Sequence, residues 1–137
     1  MQRKSINRYH SFCRSLDNLS DARGKDPQDK FILSGTVQMF NLAFDLAWKV
    51  MKDIITEFHG VLEYPTGSPR ETLRVAHSVG LIDDDIWMEM LKVRNNLAHD
   101  YDGYLAVKYF SHITLEYVRL MFDFMNKAAG YYEEGDK

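Results

Sequence analysis

A single cysteine, Cys13, stands in the 137-residue chain. That excludes a disulfide framework and a paired-cysteine metal knuckle. Proline is almost as scarce, at three residues, and the eight glycines leave long stretches uninterrupted, which favours helices over a turn-rich β fold. Basic charge is not in excess: 17 Lys and Arg face 20 Asp and Glu, a net charge of −3. Holding nucleic acid by bulk charge is thereby excluded, and only a local basic cleft remains open. No apolar run approaches the ~20 residues of a membrane span. Met1–Ser5 leads into no apolar core of a signal peptide. The expectation is a cytoplasmic protein with no membrane partner.

What is present is a large apolar fraction, 45% hydrophobic with 13% aromatic. A chain of this length fits one domain and buries roughly two thirds of its unfolded surface, so it needs no metal, cofactor or disulfide to fold. We expect one helical domain over residues 1–130 and a frayed tail over 131–137. Glycine and proline at Gly24, Pro27, Gly60, Pro65–Pro69, Gly80, Gly103 and Gly130 cut the chain into helical lengths; only Gly35 falls inside a periodic stretch.

Five helices follow from apolar steps of three and four. The first spans about Arg3 to Leu19, with Ile6, Tyr9, Phe12, Leu16 and Leu19 in phase. The second, about Asp29 to Phe58, is apolar over so much of its circumference that it must be covered on several sides, as a central helix or a subunit interface. Ser68-Pro69-Arg70-Glu71 opens the third with Ser as N-cap, Pro at N1 and Glu at N3, and Gly80 supplies a left-handed stop. Asp83-Asp84-Asp85 opens the fourth, where carboxylates favour the positive helix end, and it runs to about Ala98. The fifth, about Tyr104 to Ala128, carries Val107, Phe110, Ile113, Leu115, Val118, Leu120 and Met121. No strand alternation, hairpin turn or internal repeat competes. The fold class is all-α, an up-and-down antiparallel bundle of about five helices.

Chemistry concentrates in the segment from Arg94 to Gly103. At about 100° per residue, Trp87, Met90, Leu91, Arg94, Leu97, Ala98 and Tyr101 share one stripe. An arginine is therefore set in an apolar face, where an unpaired charge is costly. Either a carboxylate across the bundle pairs with it, its stem snorkels to solvent, or it awaits an anionic ligand. His99 lies about 140° further round on a regular helix. One small ligand is reached by both only if the helix unwinds near Ala98 or if two copies meet across a twofold axis. Arginine and histidine together suit RNA cleavage without a metal. Histidine, with an ordinary pKa near 6.5, moves protons at neutral pH, while arginine forks onto phosphate oxygens as charge develops. Asn95 and Asn96 are candidates to orient the phosphodiester or the base. Gly67-Ser68 with Asp83 and Asp85 only faintly imitates a nucleotidyltransferase signature, because the strands that signature needs are missing. His10, His59, His77 and His112 show no metal-ligand spacing.

In this order and context the residues resemble a known family, the HEPN proteins of the HepT type, often described as nucleotidyltransferase substrate-binding proteins. The similarity rests on Met39–Lys49 with its Asp45 and Ala47-Trp48-Lys49, on Ser68–Glu71 followed by Gly80–Ile82 and Trp87–Leu91, and on Arg94 through His99 and Tyr101 as an Arg-x4-His-x-Tyr motif. It spans about residues 31–125. The resemblance implies an antiparallel bundle that forms a homodimer, with Arg94 and His99 of both subunits lining a shared cleft and Asn95, Asn96 and Asp45 contributing to substrate binding. It further implies a metal-independent endoribonuclease toxin, RNA as its substrate, and a cognate small nucleotidyltransferase (MntA-like) antitoxin that adds AMP to Tyr101. The alternative it carries is a non-catalytic substrate-binding subunit of a two-component nucleotidyltransferase. Two departures stand out: Asp45 occupies a position where the family often has Glu, and Leu97-Ala98 is less polar than the usual motif interior.

Overall fold

Capping chemistry sets most of the helix boundaries in the computed structural model, which describes residues 2–60, 67–100 and 102–132. Six α-helical segments result: α1 (Gln2–Ser20), α2 (Lys30–Phe58), α3 (Pro69–Ser78), α4 (Ile86–Leu97), α5 (Tyr104–Ser111) and α6 (Val118–Tyr132). A π-helical turn, His112–Tyr117, joins the last two, so α5, the π turn and α6 occupy the place of the expected fifth helix. No strand occurs among the described residues, and the all-α bundle is as expected.

The caps behave as their chemistry requires. Asp29 accepts from the amides of Phe31 and Ile32 at the start of α2. Ser68 accepts from Glu71 at the start of α3, with Pro69 in the first turn. Gly80, at φ +82°, closes α3 in a Schellman arrangement. Its own N–H donates to His77 O at 3.2 Å and that of Leu81 to Ala76 O at 2.9 Å. At α4 the cap is shifted by one residue: Asp85 makes no capping bond, and Asp84 instead accepts from Ile86 N at 2.9 Å.

Helix α2 is the centre of the bundle, touching α1, α3, α4, α5 and α6. That position accounts for its broad apolarity within a single chain. Phe40, Phe44, Met51, Ile54 and Ile55 are fully buried along it, each contributing about 1.5–3 kcal/mol of burial. Apolar side chains still face solvent on this side of the molecule, notably Phe31 and Leu42 of α2. The described helices are too short or too polar to cross a membrane.

The C-terminal rod departs from the sequence expectation in two ways. A π turn adds one residue to a helical turn and slips the register. Within and just after it Tyr117 and Val118 reach the core, while Leu115, counted in the expected apolar stripe, is 50% exposed; Val107, upstream in α5, is 42% exposed. Thr114 is buried in Leu115's stead, its hydroxyl donating to Phe110 O at 3.0 Å. The rod also continues past Ala128. Tyr131 and Tyr132, placed in the tail by the sequence pattern, are helical. Tyr132 is buried, stacks on Tyr9 with ring centroids 5.1 Å apart, and shares a 2.5 Å hydrogen bond with Ser5. Nearby, Arg8 donates to both Asp53 oxygens at 2.9 and 3.1 Å. Burial nonetheless raises the Asp53 carboxyl pKa, outweighing the lowering by Arg8.

Candidate functional site

The site begins where α4 lies against α2. Trp87, Met90, Leu91, Val93 and Leu97 bury one side of α4, and Arg94 sits at the border of that face. The carboxylate that an arginine in this setting requires comes from Asp45 of α2, 2.8 Å from Nη2. The other guanidinium arm, Nη1, donates to Asn95 Oδ1 at 3.3 Å. The pair is not sealed: the Arg94 and Asp45 side chains keep 34% and 30% of their surface exposed. Asp45 therefore acts on Arg94 and not on an open cleft, holding the guanidinium at the surface with further N–H donors available.

Two acceptors here are under-satisfied. Asn41 Oδ1 is shut off from solvent without a hydrogen-bond partner, and Asp45 Oδ1, equally shut off, faces Arg94 Nη2 at 2.8 Å without an aligned hydrogen bond. They belong to side chains one turn apart on the same face of α2. Unpaired buried oxygens of this kind are uncommon and call for a physical reason.

Beyond Leu97 the chain is organised for sharp reversal. His99 N–H donates to Asn96 O at 3.1 Å and Asp100 N–H to Leu97 O at 3.3 Å, so the last turn tightens to a three-residue repeat. Three steps of about 100° followed by two of about 120° put His99 about 180° round from Arg94. The helix does end near Ala98, as expected, but the tightening carries His99 away from Arg94. His99, Asn95 and Asn96 are all exposed. The structure thus groups Asp45, Arg94 and Asn95, while His99 sits on the tightened turn past Leu97, about 180° from Arg94 by helical geometry. Tyr101, the expected modification site, lies outside the described residues.

Asp100 has a role that the sequence reading missed. Its carboxylate accepts from Leu105 N at 3.0 Å and Ala106 N at 2.8 Å, satisfying two orphan amides in the first turn of α5. Gly103 makes this possible by adopting φ +73° at the helix start, a conformation that side-chain-bearing residues rarely take. Asp100 thereby ties the segment carrying His99 to α5. The sequence signal was an aspartate ahead of a glycine and a helix, which is ambiguous because Asp102 stands closer.

A groove of about 520 Å³ runs from this reversal along the N-terminal half of α2. Leu33, Val37, Leu97 and Ala106 form its apolar walls, and Lys30, Gln38, Asn41 and Asp102 provide polar groups along it. Because Asn41 precedes Asp45 by one turn of α2 while Leu97 follows Arg94 by about one turn of α4, the groove adjoins the Arg94–Asp45 pair end to end. Elsewhere, Glu89, His112 and Glu116 bring potential ligand atoms within 4.8 Å of one another, joining a histidine that looked isolated in sequence to two carboxylates. Hydrogen bonds within the group already occupy them: Tyr117 donates to Glu89, and His112 Nδ1 lies 3.5 Å from Glu116.

Against known proteins, residues 4–129 match the family described as nucleotidyltransferase substrate binding protein like. No curated protein matches the chain.

Proposed function

Because the chain belongs to the nucleotidyltransferase substrate binding protein-like family, we propose that it is a HEPN protein of the HepT type: a metal-independent endoribonuclease toxin in a two-gene module whose other member is a small nucleotidyltransferase. The observation that carries this reading is Arg94. It stands at the border of an apolar helix face, is oriented by Asp45 at 2.8 Å, and keeps a third of its side chain exposed. An arginine present only to hold two helices together would be better closed off. The exposed third of this one supports reading it as a phosphate site.

The chemistry follows from the side chains. A phosphodiester docked on Arg94 gains forked, charge-assisted hydrogen bonds that strengthen as negative charge builds on the non-bridging oxygens. His99 takes the proton of the 2′-hydroxyl as that oxygen attacks phosphorus, or returns a proton to the departing 5′-oxygen. Asn95, hydrogen-bonded to Arg94, steadies the guanidinium, and Asn96 contacts the substrate. Arg94 and His99 of one chain face apart, so the working cleft combines Arg94 of one protomer with His99 of its twofold mate. Adenylation of Tyr101 by the partner nucleotidyltransferase would place a negatively charged group in this segment and compete with RNA for Arg94.

A second reading is favoured by the family description itself: a non-catalytic subunit that presents a substrate to a separate nucleotidyltransferase. Unmodified protein incubated with RNA in excess chelator separates the two. The toxin reading predicts cleavage that is lost in Arg94→Ala and His99→Ala. Intact RNA with the wild type overturns it, and cleavage unchanged in both variants overturns the residue assignment. Mass spectrometry after incubation with the cognate nucleotidyltransferase and ATP tests Tyr101; absence of an added adenylate there refutes that part.

A further inference from the structure

The groove beside Arg94 has a charge pattern opposite to that of the arginine, and the two together define a polarity. Arg94 offers only donors and positive charge. The groove offers the Gln38 amide and the Asp102 carboxylate, with Lys30 as the cationic group among its described lining residues, and the partnerless Asn41 Oδ1 lies in its wall, shut off from solvent. A phosphate is therefore repelled from the groove interior and drawn to Arg94. A flat apolar body with donors along its edge is suited to the groove, where Val37, Leu97 and Ala106 supply the walls. One helical turn, about 5.4 Å, separates Asn41 from Asp45 along α2, so the groove and the phosphate site lie side by side.

We infer that the groove is a nucleobase subsite that selects bases carrying an exocyclic amino group, with Asn41 Oδ1 as the selecting acceptor. The inference rests on the reading of Arg94 as a phosphate site and adds the identity of what lies next to that phosphate. Asn41 Oδ1 lacks a hydrogen bond and is shut off from solvent, and the amide torsion of an asparagine is broad, so rotation about it exchanges the oxygen into the groove when a donor arrives. An amino N–H of cytosine or adenine then supplies the missing partner. Uracil and hypoxanthine present a carbonyl at the same place and leave two acceptors opposed. Discrimination by one buried acceptor is expected to be about tenfold.

The test is a titration of the isotope-labelled full chain with CMP against UMP and with AMP against IMP, followed by amide and methyl NMR shifts. The expected result is shifts at Leu33, Val37, Leu97 and Ala106, with CMP and AMP binding about tenfold more tightly than UMP and IMP. Asn41→Leu should bring both ratios to about one, and Asn41→Asp, which keeps the acceptor, should retain them. Equal affinities in the wild type, a reversed preference for UMP and IMP, an absence of groove shifts, or ratios unchanged in Asn41→Leu each overturn the proposal. Arg94→Ala separates this from the phosphate reading. It should weaken all four nucleotides alike with their ratios intact, and wild-type affinity in that variant refutes Arg94 as the phosphate site while leaving the base preference to be read from the ratios.

Discussion

Asp45→Ala strands the Arg94 guanidinium on α4, and the structure sets how much that should cost. Two unit charges about 4 Å apart attract by about 4 kcal/mol at an effective dielectric near 20, but desolvation and side-chain ordering cancel much of this. Fully exposed pairs retain only ~0.2–1 kcal/mol, whereas removing one partner of a buried pair costs ~3–5 kcal/mol. With 34% and 30% of the two side chains exposed, this pair falls between those limits, and a loss of about 2 kcal/mol is expected from the range they span. Asp45→Asn should cost about half as much, ~1 kcal/mol. It keeps an oxygen for Arg94 and brings an amide donor within one turn of the partnerless Asn41 Oδ1. Equilibrium urea unfolding at fixed ionic strength reads both values from the shift in midpoint at constant slope. An Asp45→Ala midpoint indistinguishable from wild type would show that the pair orders nothing. An Asp45→Asn variant as unstable as Asp45→Ala would refute the argument from the partnerless Asn41 oxygen.

Three further outcomes follow from the geometry. Gly35 lies within α2 with nothing inside 4 Å of where a Cβ would sit, so Gly35→Ala should stabilise the protein by about 0.5–1 kcal/mol through helix propensity, measured in the same urea experiment; a destabilised variant contradicts this. Asp100→Ala removes two amide acceptors at the start of α5 and should cost about 1–2 kcal/mol, with hydrogen exchange accelerated at Leu105 and Ala106; unchanged exchange there refutes the capping role. Burial, the largest cause, raises the Tyr132 pKa to about 12, and burial with the hydrogen bond to Glu89 raises that of Tyr117 further. The folded state therefore keeps protons that the unfolded chain loses near pH 10. Stability from these tyrosines is fully present below pH 10 and falls as pH climbs towards 12, by up to ~1.4 kcal/mol per unit for each. Urea midpoints that stay flat from pH 9.5 to 11 would contradict it.

Local capping signals proved the most legible part of the chain. Asp29 and Ser68 begin their helices and Gly80 ends one because each choice is decided by a few neighbouring atoms. The candidate site was legible in part: Arg94 announced itself as a charge in an apolar stripe, whereas Asp45, one of three acidic residues in the long helix with Asp53 and Glu57, was picked out only by the family resemblance. What could not be read is non-local or breaks periodicity. A π turn slips the register by one residue, so a regular helical repeat assigns Leu115 to the core and overlooks Thr114. The tightened turn after Leu97 redirects His99, which no spacing rule foretells. Asn41 gains meaning only from the α4–α5 reversal folding against α2, and Glu89 meets His112 and Glu116 only once the rod packs beside α4.

The account turns on Arg94 and His99 working together although they face apart in one chain, and mixing Arg94→Ala with His99→Ala protomers tests that directly. If each cleft takes its arginine from one protomer and its histidine from the other, a mixed dimer holds one intact cleft of two. Mixed dimers form half of a random population, so RNA cleavage in excess chelator should recover to about a quarter of the wild-type rate from two inactive parents, by the isologous pairing of a twofold dimer. No recovery above either parent, with subunit exchange confirmed by mass spectrometry, would contradict a shared cleft.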